Sequence, residues 1–227
     1  MQLKDRILAP GIIDAYKELG TSVIADAVNR FGVNTGMFGL QCLVPGTKIC
    51  GQAFTCLFGI LAAGQEGTMD YLDDVPTGNV VVLDNAGRLD YSCWGDLMSR
   101  VALRNGVNGT IADGIIRDIP EIREIGYPIF ARATHMWTGK MHTYLEASQV
   151  PVRIAGVKVN PGDLIIGDDT GVLSVPFDLA EKVLAAAQEV REREKVIEGF
   201  INQGMRLDKA REETGYYFLQ EAKKAKE

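Results

Sequence analysis

The run Asn79-Val80-Val81-Val82-Leu83-Asp84 sets four apolar residues, three of them β-branched, between two polar ends. Four residues are too few for a buried helix, and β-branched side chains favour the extended backbone. A strand without polar alternation has to be covered on both faces, so the chain needs a sheet with layers packed on either side of it. Residues 51–58, 109–113 and 128–133 read as further strands. Between them, residues 96–104 form a helix whose Leu97, Val101 and Ala102 share one buried face and which Asn105-Gly106 stops; Pro120 opens a short helix at 120–125. The expected class is α/β, with mixed strands and helices layered around a sheet core.

The flanking segments have their own grammar. Residues 12–31 read as helical, interrupted at Leu19-Gly20-Thr21-Ser22, where Thr21 or Ser22 caps a second helix over 23–30. Asn85-Ala86-Gly87 reads as a turn, and residues 134–148, without a clear period, as a long loop. From Val150 on, short strands at 151–155, 157–159, 163–167 and 171–175 alternate with Gly and Asp turns. Two charged helices follow, at about 178–202 and 207–224. The expected division is therefore a core of residues 1–176 and a helical extension of residues 177–227 that contacts a neighbouring subunit.

Composition excludes several function classes. With 24 Lys and Arg against 30 Asp and Glu, the formal charge is -6, which argues against a phosphate-backbone footprint and so against nucleic acid as a partner. No apolar stretch approaches the roughly 20 residues that span a bilayer, and the start Met1-Gln2-Leu3-Lys4-Asp5-Arg6 is charged. Cys42, Cys50, Cys56 and Cys93 contain no Cys-x-x-Cys pair, so they read as free thiols in a reducing compartment. The expectation is a cytoplasmic protein with no membrane partner.

The densest polar cluster is Asp113-Gly114-Ile115-Ile116-Arg117-Asp118-Ile119-Pro120-Glu121, directly after the apolar strand at 109–113. The C-terminal end of a strand in an α/β sheet is where connecting loops diverge and ligands bind. Arg117 has the fork geometry for a carboxylate, and Asp118 suits a hard cation. Trp94-Gly95-Asp96-Leu97-Met98 repeats the layout of strand end, glycine turn, acidic residue and helix start. There the amides of Leu97 and Met98 are free to hold a carboxylate. Two interpretations stand at this point: Asp96, Arg117 and Asp118 bind a 2-oxo acid through a metal, or Asp96 and Arg117 form a structural ion pair beside a helix cap. The two histidines, His135 and His142, sit in no zinc spacing and read as loop or interface residues. Oxygen-only ligation favours Mg²⁺ or Mn²⁺.

Asp96, twenty intervening residues and then Arg117-Asp118-x-x-Glu121 resemble the signature of the class II 4-hydroxy-4-methyl-2-oxoglutarate / 4-carboxy-4-hydroxy-2-oxoadipate aldolases, in the fold family of the regulator of ribonuclease activity A. Thr21-Ser22-Val23-Ile24-Ala25-Asp26-Ala27, Trp94-Gly95-Asp96, Pro128-Ile129-Phe130-Ala131-Arg132 and Val159-Asn160-Pro161-Gly162-Asp163 through Gly171-Val172 are also similar to that family. The resemblance implies a swivelling β/β/α core, with the C-terminal helices an addition to it, and a homotrimer or homohexamer. It implies Asp118 as ligand of Mg²⁺ or Mn²⁺. Arg117 would be the residue that binds the pyruvyl oxygens, Gly95, Leu97 and Met98 the substrate-carboxylate turn, and Asp96 the group that positions water. It further implies a glutamate from a C-terminal helix reaching a neighbouring site, for which Glu194 is the match. The implied activity is a lyase that releases pyruvate from a 4-hydroxy-2-oxo acid and also decarboxylates oxaloacetate. Two stretches depart from the pattern: Asn85-Ala86-Gly87, where relatives carry consecutive glycines, and the loop from Thr134 to Tyr144.

The competing class is a non-catalytic regulator of ribonuclease activity that works by protein contacts; the regulator lacks the metal-binding Asp after its Arg, which Asp118 supplies here. A methyltransferase fails on chemistry, because no Gly-x-Gly-x-x-Gly turn follows the strand that ends at Asp84.

Overall fold

The computed structural model describes residues 6–216. Helices α1 (Pro10–Lys17) and α2 (Thr21–Asn29) precede a short strand β1 (Gln41–Cys42) and the long β2 (Ile49–Ile60). Then come β3 (Val80–Ser92), α3 (Asp96–Arg104), β4 (Gly109–Ile116), α4 (Ile119–Glu124) and β5 (Ile129–Thr134). The chain continues through β6 (Thr143–Ser148), β7 (Val152–Ile154), β8 (Val157–Val159), β9 (Leu164–Asp168) and β10 (Gly171–Val175). It closes with α5 (Ala180–Asn202) and α6 (Leu207–Thr214). The expected break at Leu19–Ser22 is present, but the two helices start earlier, at Pro10 and Thr21, and Gly20 rather than Thr21 or Ser22 holds the cap position, with no side-chain cap; the part of the last expected helix beyond residue 216 lies outside the described residues.

One sheet runs in the order β1-β5-β4-β3-β2-β9-β10, with β6 also paired to β2. Strands β2, β3, β4 and β5 are parallel neighbours, as crossover helices require. β1, β6 and β9 join antiparallel. The Val80–Leu83 run behaves as its composition demands. Val81 and Leu83 pack with Trp94, Ala102 and Ile122 on the helical face. Val80 and Val82 pack with Ile154, Val159 and Met37 on the face covered by the β7–β8 hairpin. The result is a hairpin, sheet and helix layering. A third cluster buries α1, α2 and α5 against β9 and β10 through Tyr16, Ile24, Leu164, Val183 and Ala187.

Two local expectations fail for identifiable reasons. The stretch Asn85-Ala86-Gly87 does not end its strand. Ala86 and Gly87 both take left-handed backbone angles (φ 53° and 68°), but they form a bulge and β3 resumes to Ser92 alongside β4. The Asp84 carboxylate accepts the Ala86 amide at 3.0 Å and holds the bulge. The expected loop at 134–148 is half strand: residues 143–148 pair with β2. Only Thr143 of β6 is fully buried, so the strand carries no period-two pattern and pairing alone defines it.

Candidate active site

The parallel strands deliver two chain ends to one place. Past β3, the Cys93 amide still donates to Ile115, and past β4 the Arg117 amide donates to the Trp94 carbonyl (both 3.1 Å), so the ladder extends beyond the strands and fixes Trp94-Gly95-Asp96 beside Arg117-Asp118. Trp94 anchors this edge: it is buried, its ring stacks on Tyr127 at 5.9 Å between centroids, and its indole N–H donates to Ser99 Oγ at 2.7 Å. Ser99 in turn donates to the Gly95 carbonyl at 3.1 Å, which ties the first turn of α3 to the strand end.

Gly95 is extended (φ -152°), so its identity is not a backbone demand. Space decides it: a Cβ there would lie 2.7 Å from Asp118 Oδ2 and 3.4 Å from Arg117 Nε. The two site residues occupy the volume a side chain would fill.

Asp118 takes a left-handed backbone (φ 59°, ψ 39°) at the N-terminus of α4, a conformation that Asp and Asn tolerate better than most residues. Its Oδ2 receives the Asp96 amide and Arg117 Nε, each at the long distance of 3.3 Å. Its Oδ1 has no partner among the described residues, and neither do the terminal nitrogens of Arg117. The side chains of Arg117 and Asp118 stay 38% and 29% exposed, enough for a ligand to reach both. α3 has no side-chain cap, so the Leu97 and Met98 amides point out of its first turn without an intrahelical acceptor. The Leu97 side chain is exposed, while Met98 packs on the core.

The structural ion pair between Asp96 and Arg117 is not formed. Asp96 pairs with Arg100 one turn on, at 3.4 Å, and Arg117 pairs with Asp118. Arg100 was legible as an i,i+4 partner on the helix; Ser99, which fixes the turn through Trp94, carried no sequence signal.

Glu194 lies elsewhere in the chain. On α5 it faces Arg191 at 3.8 Å, and burial together with Asp26 and Glu198 raises its carboxyl above the usual range, Arg191 opposing. None of these partners belongs to the Asp96–Asp118 site. Glu121, in the first turn of α4, is exposed. All four cysteines are free; burial pushes the Cys50 and Cys93 thiols up to about 12, which makes them poor nucleophiles.

As a cation site the donor set is sparse. The described residues contain no group of three or more His, Cys, Asp or Glu side chains able to hold a metal, which rules out a protein cage of the zinc kind among them. One uncommitted carboxylate oxygen at an accessible edge fits a hard cation that keeps most of its water.

Comparison with known proteins agrees with this layering. A solved structure of a protein of unassigned role from Pseudomonas syringae pv. tomato superposes with a TM-score of 0.85 at 38% identity, over 90% of this chain and 98% of that one. The RNase ES inhibitor family member RraAS2 of Streptomyces coelicolor gives 0.75 at 27% identity, over 83% and 96%. Protein DlpA of Legionella pneumophila is 36% identical over 91% of this chain, which spans 34% of DlpA's length. A candidate 4-hydroxy-4-methyl-2-oxoglutarate aldolase of Halalkalibacterium halodurans is 30% identical over 80% of this chain and 87% of its own. No helix among the described residues is long and apolar enough to cross a membrane. The model of the RraA-like family, Aldolase/RraA, matches residues 21–174, and the chain belongs to that family.

Proposed function

We propose that the chain is a divalent-metal-dependent pyruvate aldolase, a carbon–carbon lyase that splits a 4-hydroxy-2-oxo acid into pyruvate and a second carbonyl compound. The observation that carries it is the under-bonded Asp118 carboxylate beside the uncommitted end of Arg117, at the edge where the Leu97 and Met98 amides emerge. Candidate aldolases among the relatives support the same chemistry.

Asp118 would hold Mg²⁺ or Mn²⁺, which when bound supplies Lewis-acid polarisation of the 2-oxo group. The Arg117 guanidinium binds the pyruvyl oxygens and neutralises charge as the C3–C4 bond breaks and its electron pair moves into the enolate of pyruvate. The amides of Leu97 and Met98, with Gly95 leaving room for the turn, seat the C1 carboxylate. Asp96 orients a water that takes the proton from the 4-hydroxyl, and protonation at C3 then completes pyruvate. Oxaloacetate, losing CO₂, leaves the same enolate and would be a side substrate.

Glu194 belongs to this scheme only across a subunit boundary, from α5 of a neighbour. That requires an oligomer, a homotrimer or homohexamer in this reading, and exposed Phe38, Leu97 and Trp137 offer apolar area for such contacts. Release of pyruvate, coupled to lactate dehydrogenase and measured over several 4-hydroxy-2-oxo acids and oxaloacetate, tests the proposal. Turnover that EDTA abolishes and Mg²⁺ or Mn²⁺ restores is expected. No metal-dependent turnover on any of them, with a ribonuclease recovered in a pull-down instead, would promote the regulator.

A further inference from the structure

A buried indole N–H can only donate, so it needs an acceptor. For Trp94, 2% exposed, that acceptor is Ser99 Oγ at 2.7 Å. Ser99 is itself fully buried, and its hydroxyl has a single proton to give. The indole occupies the oxygen as an acceptor, and the proton goes to the Gly95 carbonyl at 3.1 Å. The same carbonyl also takes the Ser99 amide at 3.1 Å, the bond that opens α3. A serine that bonds back to the carbonyl four residues earlier normally weakens its helix slightly. Here the bond has another use.

The Gly95–Asp96 peptide is held at both ends. Its carbonyl takes two donors from Ser99, and its N–H reaches Asp118 Oδ2 at 3.3 Å. The peptide group is planar, so fixing the carbonyl also fixes the direction of the N–H. Hydrogen bonds thus run one way, from indole to hydroxyl to peptide to carboxylate, and each polarises the next. The origin of this relay is fixed as well. Trp94 stacks on Tyr127 at 5.9 Å, and the Tyr127 hydroxyl is bonded to Thr110 Oγ1 at 2.8 Å. The relay ends on one oxygen of Asp118. Oδ2 also takes Arg117 Nε at 3.3 Å, and Oδ1 keeps no partner among the described residues.

We infer that Ser99 is a positioning residue: through the Gly95–Asp96 peptide it commits Oδ2 of Asp118 and so leaves Oδ1 for a cation. This rests on the aldolase reading, in which Asp118 holds Mg²⁺ or Mn²⁺. A ligating carboxylate depends on the groups that hydrogen-bond it from behind. Ser99 acts on Asp118 only through the peptide plane, and Trp94 acts only through Ser99.

Ser99→Ala by itself does not decide the matter, because it strands the buried indole N–H and lowers stability in any case. The test therefore adds Ser99→Ala to a Trp94→Phe background, where no indole N–H is left to strand. Binding of Mn²⁺ alone to the metal-free protein, read by calorimetry, is expected to weaken about 10-fold from Trp94→Phe to the double variant. The urea midpoints of those two proteins should agree. A serine present only to receive the indole predicts equal Mn²⁺ affinities in that background, and equal affinities overturn the inference while leaving the aldolase standing. Wild type that binds no Mn²⁺ sinks the metal-dependent aldolase reading instead. In that case, or if Trp94→Phe does not fold, hydrogen exchange at the Asp96 amide decides without metal. Ser99→Ala should speed exchange at Asp96 more than at Ala102 of the same helix. An unchanged rate, or equal speeding at both, ends the role of Ser99.

Discussion

Asp163 and Asp118 are both acidic residues at a turn, and they show what separates a structural carboxylate from a candidate ligand. Asp163, before β9, is 2% exposed. Its Oδ2 takes the Asn160 amide at 2.9 Å and Asn160 Nδ2 at 3.3 Å, and its Oδ1 takes the Phe177 amide at 3.0 Å. Burial raises its carboxyl above the usual range, with those hydrogen bonds opposing. Every contact is local to the joint between β8, β9 and the start of α5, and nothing is left for a ligand. Asp118 has two long contacts on one oxygen, none on the other, a left-handed backbone and partial exposure. A fold spends its hydrogen bonds where it needs rigidity, so the under-bonded carboxylate is the one available for chemistry.

Four substitutions break or sharpen that contrast. Asp118→Asn keeps the left-handed backbone but removes the charge. Metal-dependent pyruvate release should fall by about 10³-fold or more, ~4 kcal/mol of transition-state stabilisation, while the urea midpoint of unfolding hardly moves. Asp163→Ala should do the reverse. It strands buried amides and costs about 3 kcal/mol in urea unfolding, with activity per folded molecule retained. If Asp163→Ala were as stable as wild type, the distinction drawn here would collapse.

Gly95→Ala comes next. Its Cβ would collide with Asp118 Oδ2 and push the carboxylate off its position, costing about 10²-fold in kcat/KM, ~2.7 kcal/mol, with thermal stability little changed. An alanine enzyme of full activity would mean that the placement of Asp118 beside this turn is irrelevant to the reaction.

The smallest effect concerns Glu194. Its folded-state carboxyl titrates above the usual range, so the fold favours the protonated form. The stability this contributes is fully present below the unfolded-state value and is lost as pH rises through the folded value. Glu194→Gln should therefore be at least as stable as wild type at pH 7, and that advantage should shrink at pH 4, as read by urea unfolding at the two pH values. An advantage that grows on acidification would show that burial, with Asp26 and Glu198, does not hold this carboxyl above the usual range.

Much of the site was legible in the chain. The apolar run at 80–83 required a sheet covered on both faces. The polar residues following the 109–113 strand had to fall where connecting loops diverge, and the Gly95 turn repeated that layout. These are consequences of period and residue type, which act over a few neighbours. Other features depend on distant partners. The Ala86–Gly87 bulge and strand β6 exist because β4 and β2 pair with them, and neither has a local pattern to announce it. The Asp96–Arg100 pair is local to α3, but that Asp96 does not reach Arg117 depends on how α3 sets against the strand edge.

His135 belongs with these: residue type alone left it an ordinary loop histidine, and only its amide bond to the Ile116 carbonyl carries the sheet one rung further. Sequence by itself determined the layers and which residues can do chemistry, because burial and backbone preference are written residue by residue. Tertiary structure alone decided which of those residues meet and which keep a free atom, because pairing across strands is set by register, and register is a property of the whole sheet.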